Sequence, residues 1–443
     1  MSANALSQHY AEQVQHLQKG LPEGVPGWLA GRRQGAALRF AEAGFPDPRQ
    51  EEWKYTNVRP IATKPFAAVT VDAPLAAETV AGFRFAGLDA YRMVFVDGRF
   101  RPEFSDLGGL PEGAAVRSLS EVLVSDPNLL EPLLGTLAHD RFSSFAAANT
   151  AFLSDGAVIL LGQGVRLERP VHLVVLGTAG SPASWCHPRV LIHAAEGAEA
   201  TVIEHYADLE GAAGFTNAVT ELRAEAGARL RHYLLQDHAD GAYHVGSVFI
   251  QQRRDSHVTS HNINLGGRLV RHDLNIDLTE AGAEVELNGL FLVGGRQHVD
   301  THTRVHHSSP NTTSREQYRG IGQGHGRGVF KGRVLVERGA QKTDAQQHSA
   351  NLLLSPNAEI DTKPELEIYA DDVKCAHGAT VGQLDETSLY YLRSRGIDEE
   401  HAREMLVFAF ADEVLERMDI APVRTDIEAR LAARLPGGMV AEA

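Results

Sequence analysis

Cysteine is almost missing from this chain: 443 residues carry only Cys186 and Cys375. Two thiols cannot build a disulfide framework, which makes a reducing cytoplasm the simplest compartment and leaves either thiol free to act as a ligand. Long apolar runs are missing too. Stretches such as Ala157–Leu161 and Leu352–Leu354 fall far short of the roughly 20 residues that cross a bilayer, so no membrane association is expected. The opening MSANALSQHY lacks the basic start and apolar core of a secretory signal. Positive charge is in deficit, with 42 basic against 57 acidic residues and a formal net charge of −15. That balance repels phosphate backbones, and no local basic patch offsets it, so nucleic acid is not an expected partner.

Familiar catalytic signatures are absent as well. No Gly-Lys pair occurs, hence no P-loop and no nucleotide bound by this chain, and neither HExxH nor GxSxG is found. The run RGIGQGHGRG, with Gly320, Gly322, Gly324, Gly326 and Gly328, fails the dinucleotide spacing and leads into strand-like VFKGRVLVE rather than a helix. Glycine at every second position of a strand instead bares one face and lets another backbone approach.

What is present divides the chain into three parts: a mainly helical region over 1–150, a β core over 151–384, and a helical C-terminal region over 385–443. In the first, Leu6, Tyr10, Val14 and Leu17 suggest one helix and Trp28, Leu29, Leu38 and Phe40 a second. Tyr91–Phe100 reads as a hairpin turning at Asp97–Gly98, followed by helical stretches around 119–124 and 129–148. In the core, short apolar-alternating runs follow one another almost without helical period. A Gly-Ala pair one or two positions after a charged residue recurs at Gly197, Gly227, Gly282 and Gly339. Its gaps equal one, two and two units of a common period, which favours a stacked solenoid over a sandwich. In the C-terminal region Asp385 or Thr387 can cap one helix that Gly396 ends, and Asp398 can cap a second. The second has apolar positions at Met405, Leu406, Ala409, Phe410, Val414 and Leu415, and a last helix is expected near 425–435.

Two constellations could carry chemistry. In QHVDTHTRVHH, His298, Asp300, His302, Arg304 and His306 share one face if the segment is a strand. Imidazoles with a carboxylate can bind zinc or iron, but Arg304 inside the row argues against a cation site, and a solvated polar ladder is the favoured reading. In Asp371-Asp372-Val373-Lys374-Cys375-Ala376-His377-Gly378, Cys375 and His377 point the same way on a strand, with Cα atoms roughly 6.6 Å apart. Thiolate and neutral imidazole suit iron or zinc. Val373, Ala379 and Val381 share their parity, so burial in an apolar face is the competing reading. Two ligands cannot complete a tetrahedral site, so a metal needs further donors, for instance from another chain.

Three stretches resemble a known family. EEWKYTN at Glu51–Asn57, the long run QKTDAQQHSANLLLSPNAEIDTKPELEIYADDVKCAHGATVGQLD at Gln341–Asp385, and YYLRSRGI at Tyr390–Ile397 are similar to signatures of the SufB/SufD iron–sulfur cluster assembly scaffolds. The SufB branch has additional upstream cysteines, and Cys186 alone in that region resembles the SufD branch. The resemblance implies a mainly β fold, a right-handed parallel β-helix flanked by helical N- and C-terminal domains. It implies a non-catalytic cytoplasmic subunit working with a SufB-like sister and a SufC-like ABC ATPase, the latter docking on helices after Asp385, and it allows a homodimer of the isolated chain. It also implies a transient iron–sulfur cluster at the interface of the two scaffolds. His377 takes the place of the family's histidine ligand there, and Cys375 matches the adjacent motif cysteine. The rivals are a solenoid enzyme acting on polysaccharide through Asp300 and His302, and a purely structural subunit in which Cys375 and His377 are core residues.

Overall fold

The computed structural model describes residues 26–69, 74–138, 143–179 and 183–435. The helix expected around Leu6–Leu17 lies outside the described residues. The core is a β-solenoid of about eight turns with helices at both ends of the chain. From Arg189–Ala194 to Lys374–Gly382, successive strands fall alternately into two sheets, and from Phe215–Ala224 onward each pairs in parallel with the strand two before it. Alternation follows from side-chain chemistry: inward residues of both sheets meet across one lumen, while outward residues need a second cover. Ile192, Leu222, Ile250, Ile276 and Val305 of one sheet thus meet Val202, Leu230, Val258 and Val285 of the other in one cluster.

The turn that spaces these strands is legible in backbone angles. Left-handed residues recur every 27 to 33 positions at Gly164, Gly197, Gly227, Asp255, Gly282, Asn311 and Lys342. Each donates its N–H to a carbonyl of the next turn, as from Gly197 to Ala226 at 2.9 Å and from Asn311 to Gln341 at 2.9 Å. Asp255 and Asn311 therefore occupy the two rungs that the glycine spacing skips, since short polar side chains tolerate this conformation. The expected fourth glycine is corrected: Gly339 is not left-handed, and Lys342, with φ of 61°, takes the corner.

The β core begins earlier than residue 151. Tyr91–Val96 forms the expected hairpin with Arg99–Phe100 and also pairs in parallel with Val171–Gly177, while Ala114–Ser118 pairs antiparallel with Gly156–Leu161. The single helix expected over 129–148 is replaced by Pro127–Leu130 and Ser144–Phe152. The glycine run is a strand end, a corner and a strand start, with Gly324 left-handed at the corner. Gly326 does meet another backbone, at Val293. Gly320 and Gly328, however, are bare because the Phe291 ring fills the lumen between them, 2.3 Å and 2.4 Å from where their Cβ atoms would lie.

Each sheet's outer face is covered by a different end of the chain. Phe40, Trp53, Phe145 and Phe152 pack on Trp185, Phe215, Tyr243 and Val245 of one sheet. On the other, Val407, Ala411, Val414, Ile427 and Leu431 from helices Glu399–Leu415 and Ala421–Arg434 cover Tyr233, Leu235, Ile263, Leu290 and Ile321. Asp385 caps helix Glu386–Ser394 and Asp398 caps the next, and Gly396 between them has φ of 91°. The buried stripe of Glu399–Leu415 runs through Ala402, Val407, Ala411 and Val414, which leaves the expected core position Met405 exposed. No helix among the described residues is long and apolar enough to cross a membrane.

The stacked corners give a direct test. A Cβ on Gly282 would lie 2.1 Å from Asp255 Oδ1 at a φ of 76°, whereas Gly339 has open space and an ordinary φ. Gly282→Val is expected to destabilise the protein by about 1–3 kcal/mol and Gly339→Val to leave it unchanged. Equal melting temperatures for the two variants would contradict this corner assignment.

Candidate functional site at the open end of the solenoid

Among the described residues the two sheets end on Glu359–Ile368 and Lys374–Gly382, strands that each have one unpaired edge. The register sets Cys375 on Ala345, His377 on Gln347, Ala379 on Ser349 and Val381 on Asn351. Those four partners are buried lumen-facing side chains, so Cys375 and His377 share the lumen-facing parity of the last turn. No further turn among the described residues covers them. His377 is exposed and is not a core residue. Cys375 is half-buried against the cluster of Val334, Val336, Ala340, Ala345 and Ala370. Burial pushes its thiol pKa up, and the Asp344 carboxylate adds to that. A metal taking this sulfur must therefore displace its proton. Cys186 is of another kind: burial drives its thiol up to about 12, and its neighbour is Thr216 Oγ1 at 3.5 Å. That is an inert structural thiol. Among the described residues no group of three or more His, Cys, Asp or Glu side chains could hold a metal ion, so two donors are what this end offers by itself.

The histidine row does form one strand, His298–His307, but its expected solvation is corrected. Asp300 is 1 % exposed and His302 8 % exposed, because the EEWKYTN segment lies across them. Thr56 Oγ1 donates to Asp300 Oδ2 and lies 2.8 Å from His298 Nε2. Lys331 Nζ reaches Glu52 at 3.0 Å, and Lys363 reaches Glu51 at 2.7 Å. Arg271 donates to Asp300 Oδ2 and to the Glu52 carbonyl, both at 2.7 Å, with its guanidinium 3.9 Å above the Trp53 ring. Hydrogen bonding from His302, reinforced by Lys331, holds the Glu52 carboxyl well below the usual range against the cost of burial. Burial would push Asp300 up, yet His302 and Arg271 hold it far down. Burial would likewise lower His302, but Asp300 raises it overall. This arrangement is a charge-matched clasp with a guanidinium at its centre. Among the described residues it lacks the donor set of a metal site, and Asp300, the carboxylate expected to act on a polysaccharide, is closed off from solvent.

Inside the lumen lies a group that sequence reasoning passed over. Glu316 is 2 % exposed; it accepts from Thr303 Oγ1 and, at 3.0 Å, from Gln347 Nε2. Burial raises its pKa from the ordinary 4.5 to about 7. Strand alternation alone could have found it, since Glu316 has the parity of the lumen-facing Ser314 and Tyr318.

Two family models match the chain. The SUF system FeS cluster assembly SufBD core domain matches residues 176–410, and the SufBD protein N-terminal region matches residues 2–173. The chain is 35% identical over 403 residues to the iron–sulfur cluster assembly protein SufD of Escherichia coli K12, covering 90% of this chain and 92% of that one. It is 32% identical over 406 residues to an iron–sulfur cluster assembly SufBD family protein of Synechocystis, covering 89% of each.

The raised Glu316 pKa predicts how stability varies with pH. The unfolded carboxyl ionises near 4.5 and the folded one near 7, so between those values the unfolded chain binds fewer protons. Stability is therefore full below about 4.5, falls as pH rises to about 7 by about 3 kcal/mol at most, and is flat beyond, as far as this group contributes. Glu316→Gln is expected to flatten the melting temperature over that window. A pH profile identical to wild type would show that Glu316 ionises normally.

Proposed function

The chain belongs to the SufBD family of the SUF iron–sulfur cluster assembly system, and from that membership we propose that it is a SufD-type, non-catalytic scaffold subunit. In this reading it works in the cytoplasm with a SufB-like sister scaffold and a SufC-like ABC ATPase. The observation that carries the reading is the placement of Cys375 and His377 side by side at the uncovered end of the solenoid, on a strand whose edge is free to meet another chain. A cluster is cargo here rather than a resident cofactor. Thiolates hold such clusters and histidine is an accepted substitute, so two donors from this chain leave the remaining positions to a partner. Exposed Ile368, Tyr369 and Val381 give the same end an apolar rim, which favours burial against a second scaffold.

ATP chemistry falls to the partner, because this chain carries no nucleotide motif. Tyr390 at 74 % and Tyr391 at 56 % exposure stand on helix Glu386–Ser394, with Met405 exposed nearby in sequence on the next helix. Large exposed aromatics of this kind suit a docking surface for the ATPase. Because this region begins immediately after the strand bearing His377, nucleotide-driven movement of the ATPase would reach the cluster site directly. Deleting the C-terminal helices is a poor test of this, because it would strip the cover from Tyr233, Ile263 and Leu290. Tyr390→Ala with Tyr391→Ala is expected to abolish co-elution of the ATPase from native extracts while shifting the melting temperature little. Unimpaired stoichiometric co-elution would move the docking site elsewhere.

For the cluster site, His377→Ala is expected to leave the purified complex assembled while its iron and sulfide content, assayed anaerobically, falls sharply. His348→Ala, an exposed histidine on the outward face of the neighbouring strand, is the control and should load normally. Normal loading in the His377 variant would remove it from the ligand set.

A further inference from the structure

Behind the exposed histidine the lumen carries a short polar column. The register stacks His377 on Gln347 and Gln347 on Glu316, with neighbouring strands about 4.8 Å apart. Gln347 is 2 % exposed, and its amide has one settled end: Nε2 donates to Glu316 Oε1 at 3.0 Å. The carboxylate side is fixed in turn by the Thr303 hydroxyl. Its other end is unsettled, since Gln347 Oε1 is buried and has no hydrogen-bond partner among the described residues. Room for this conformation comes from the opposite sheet, where a Cβ on Gly332 would lie 2.0 Å from Gln347 Nε2.

An amide is planar, so an Nε2 drawn toward the preceding turn directs Oε1 toward the following one. The following turn carries His377 on this sheet and Pro364, which has no N–H to offer, across the lumen. A buried acceptor left open is costly unless something meets it. A histidine that binds metal through one ring nitrogen usually donates its other N–H to a carbonyl or carboxylate, which fixes the tautomer and raises ligand basicity.

We propose that Gln347, oriented by Glu316, is the positioning residue for His377: its Oε1 accepts the ring N–H of His377 when the opposite nitrogen takes metal. The inference rests on the reading of His377 as a ligand and adds the residues that prepare it. Glu316 and Gln347 touch no cargo and act only through the imidazole.

The test is anaerobic titration of the full-length chain with Co2+, with a melting temperature for every variant. Gln347→Leu and Glu316→Leu are expected to weaken Co2+ binding roughly 10–100-fold. Glu316→Gln, which can still accept from Gln347 Nε2, should stay close to wild type even though it removes the charge. In a His377→Ala background, Gln347→Leu should cost nothing further, which a merely structural role for Gln347 would not produce. Undiminished affinity in Gln347→Leu, where His377→Ala has lost it, overturns the positioning role and leaves the ligand reading standing. An equal loss from Gln347→Leu with and without His377 overturns it too. Wild-type affinity in His377→Ala removes the ligand reading and the positioning role together.

Discussion

Parallel hydrogen bonding in unbroken register, turn upon turn, is the constraint on which the rest of this structure depends. Once Ala345 lies over Ser314, Cys375 must lie over Ala345 and His377 over Gln347. The ladder also cannot finish itself. At its N-terminal end, antiparallel pairing by Arg99–Phe100 and Ala114–Ser118 turns the sheets off. At the C-terminal end, among the described residues, no strand pairs beyond Glu359–Ile368 and Lys374–Gly382. An unpaired parallel edge is a template for another chain unless it is managed. Pro364 and the charged Lys363, Glu365 and Glu367 discourage indiscriminate pairing on one of these strands. The other presents the small and apolar residues Ala376, Ala379 and Val381 around His377.

The lumen is not apolar throughout. Glu204 binds His232 at 2.8 Å and accepts from Thr220 at 2.7 Å, and Glu316 binds Thr303 and Gln347 nearer the open end. Beyond the Glu204 group, toward the open end, the Leu287, Phe291, Tyr318 and Phe330 side chains close the bore, with both glycines around Phe291 bare for that purpose. Buried carboxylates are expensive unless every lone pair is met. The Glu204 cluster is well satisfied, whereas the Glu316 group leaves one amide oxygen open close to the exposed histidine.

The outer clasp obeys the same electrostatic rule. Arg271, at 2 % exposure, could not be carried inside without Asp300 and Asp273. Glu52 and Thr56 then satisfy what the strand cannot, which ties the segment 51–57 to strands more than two hundred residues later. The strand itself was legible from the period-two histidines. Its burial was not, because nothing in QHVDTHTRVHH indicates that EEWKYTN lies over it. A polar face reads as solvated whenever its cover comes from far along the chain.

The sequence by itself determined the solenoid, the alternation that orients Cys375 and His377 alike, the capped helices after Asp385, and the family. Period and turn chemistry are local properties, and a repeat writes them many times over. Even the skipped rungs at Asp255 and Asn311 were implied by double-length gaps, although the shift of the last corner from Gly339 to Lys342 was not. Only the tertiary structure decided which equivalent positions are covered. Cys375, His377, Gln347 and Glu316 all face the same bore; what separates an exposed imidazole from a carboxyl held near pH 7 is the number of turns stacked beyond each. Burial is a property of neighbours, and here the neighbours stand about thirty residues away along the chain.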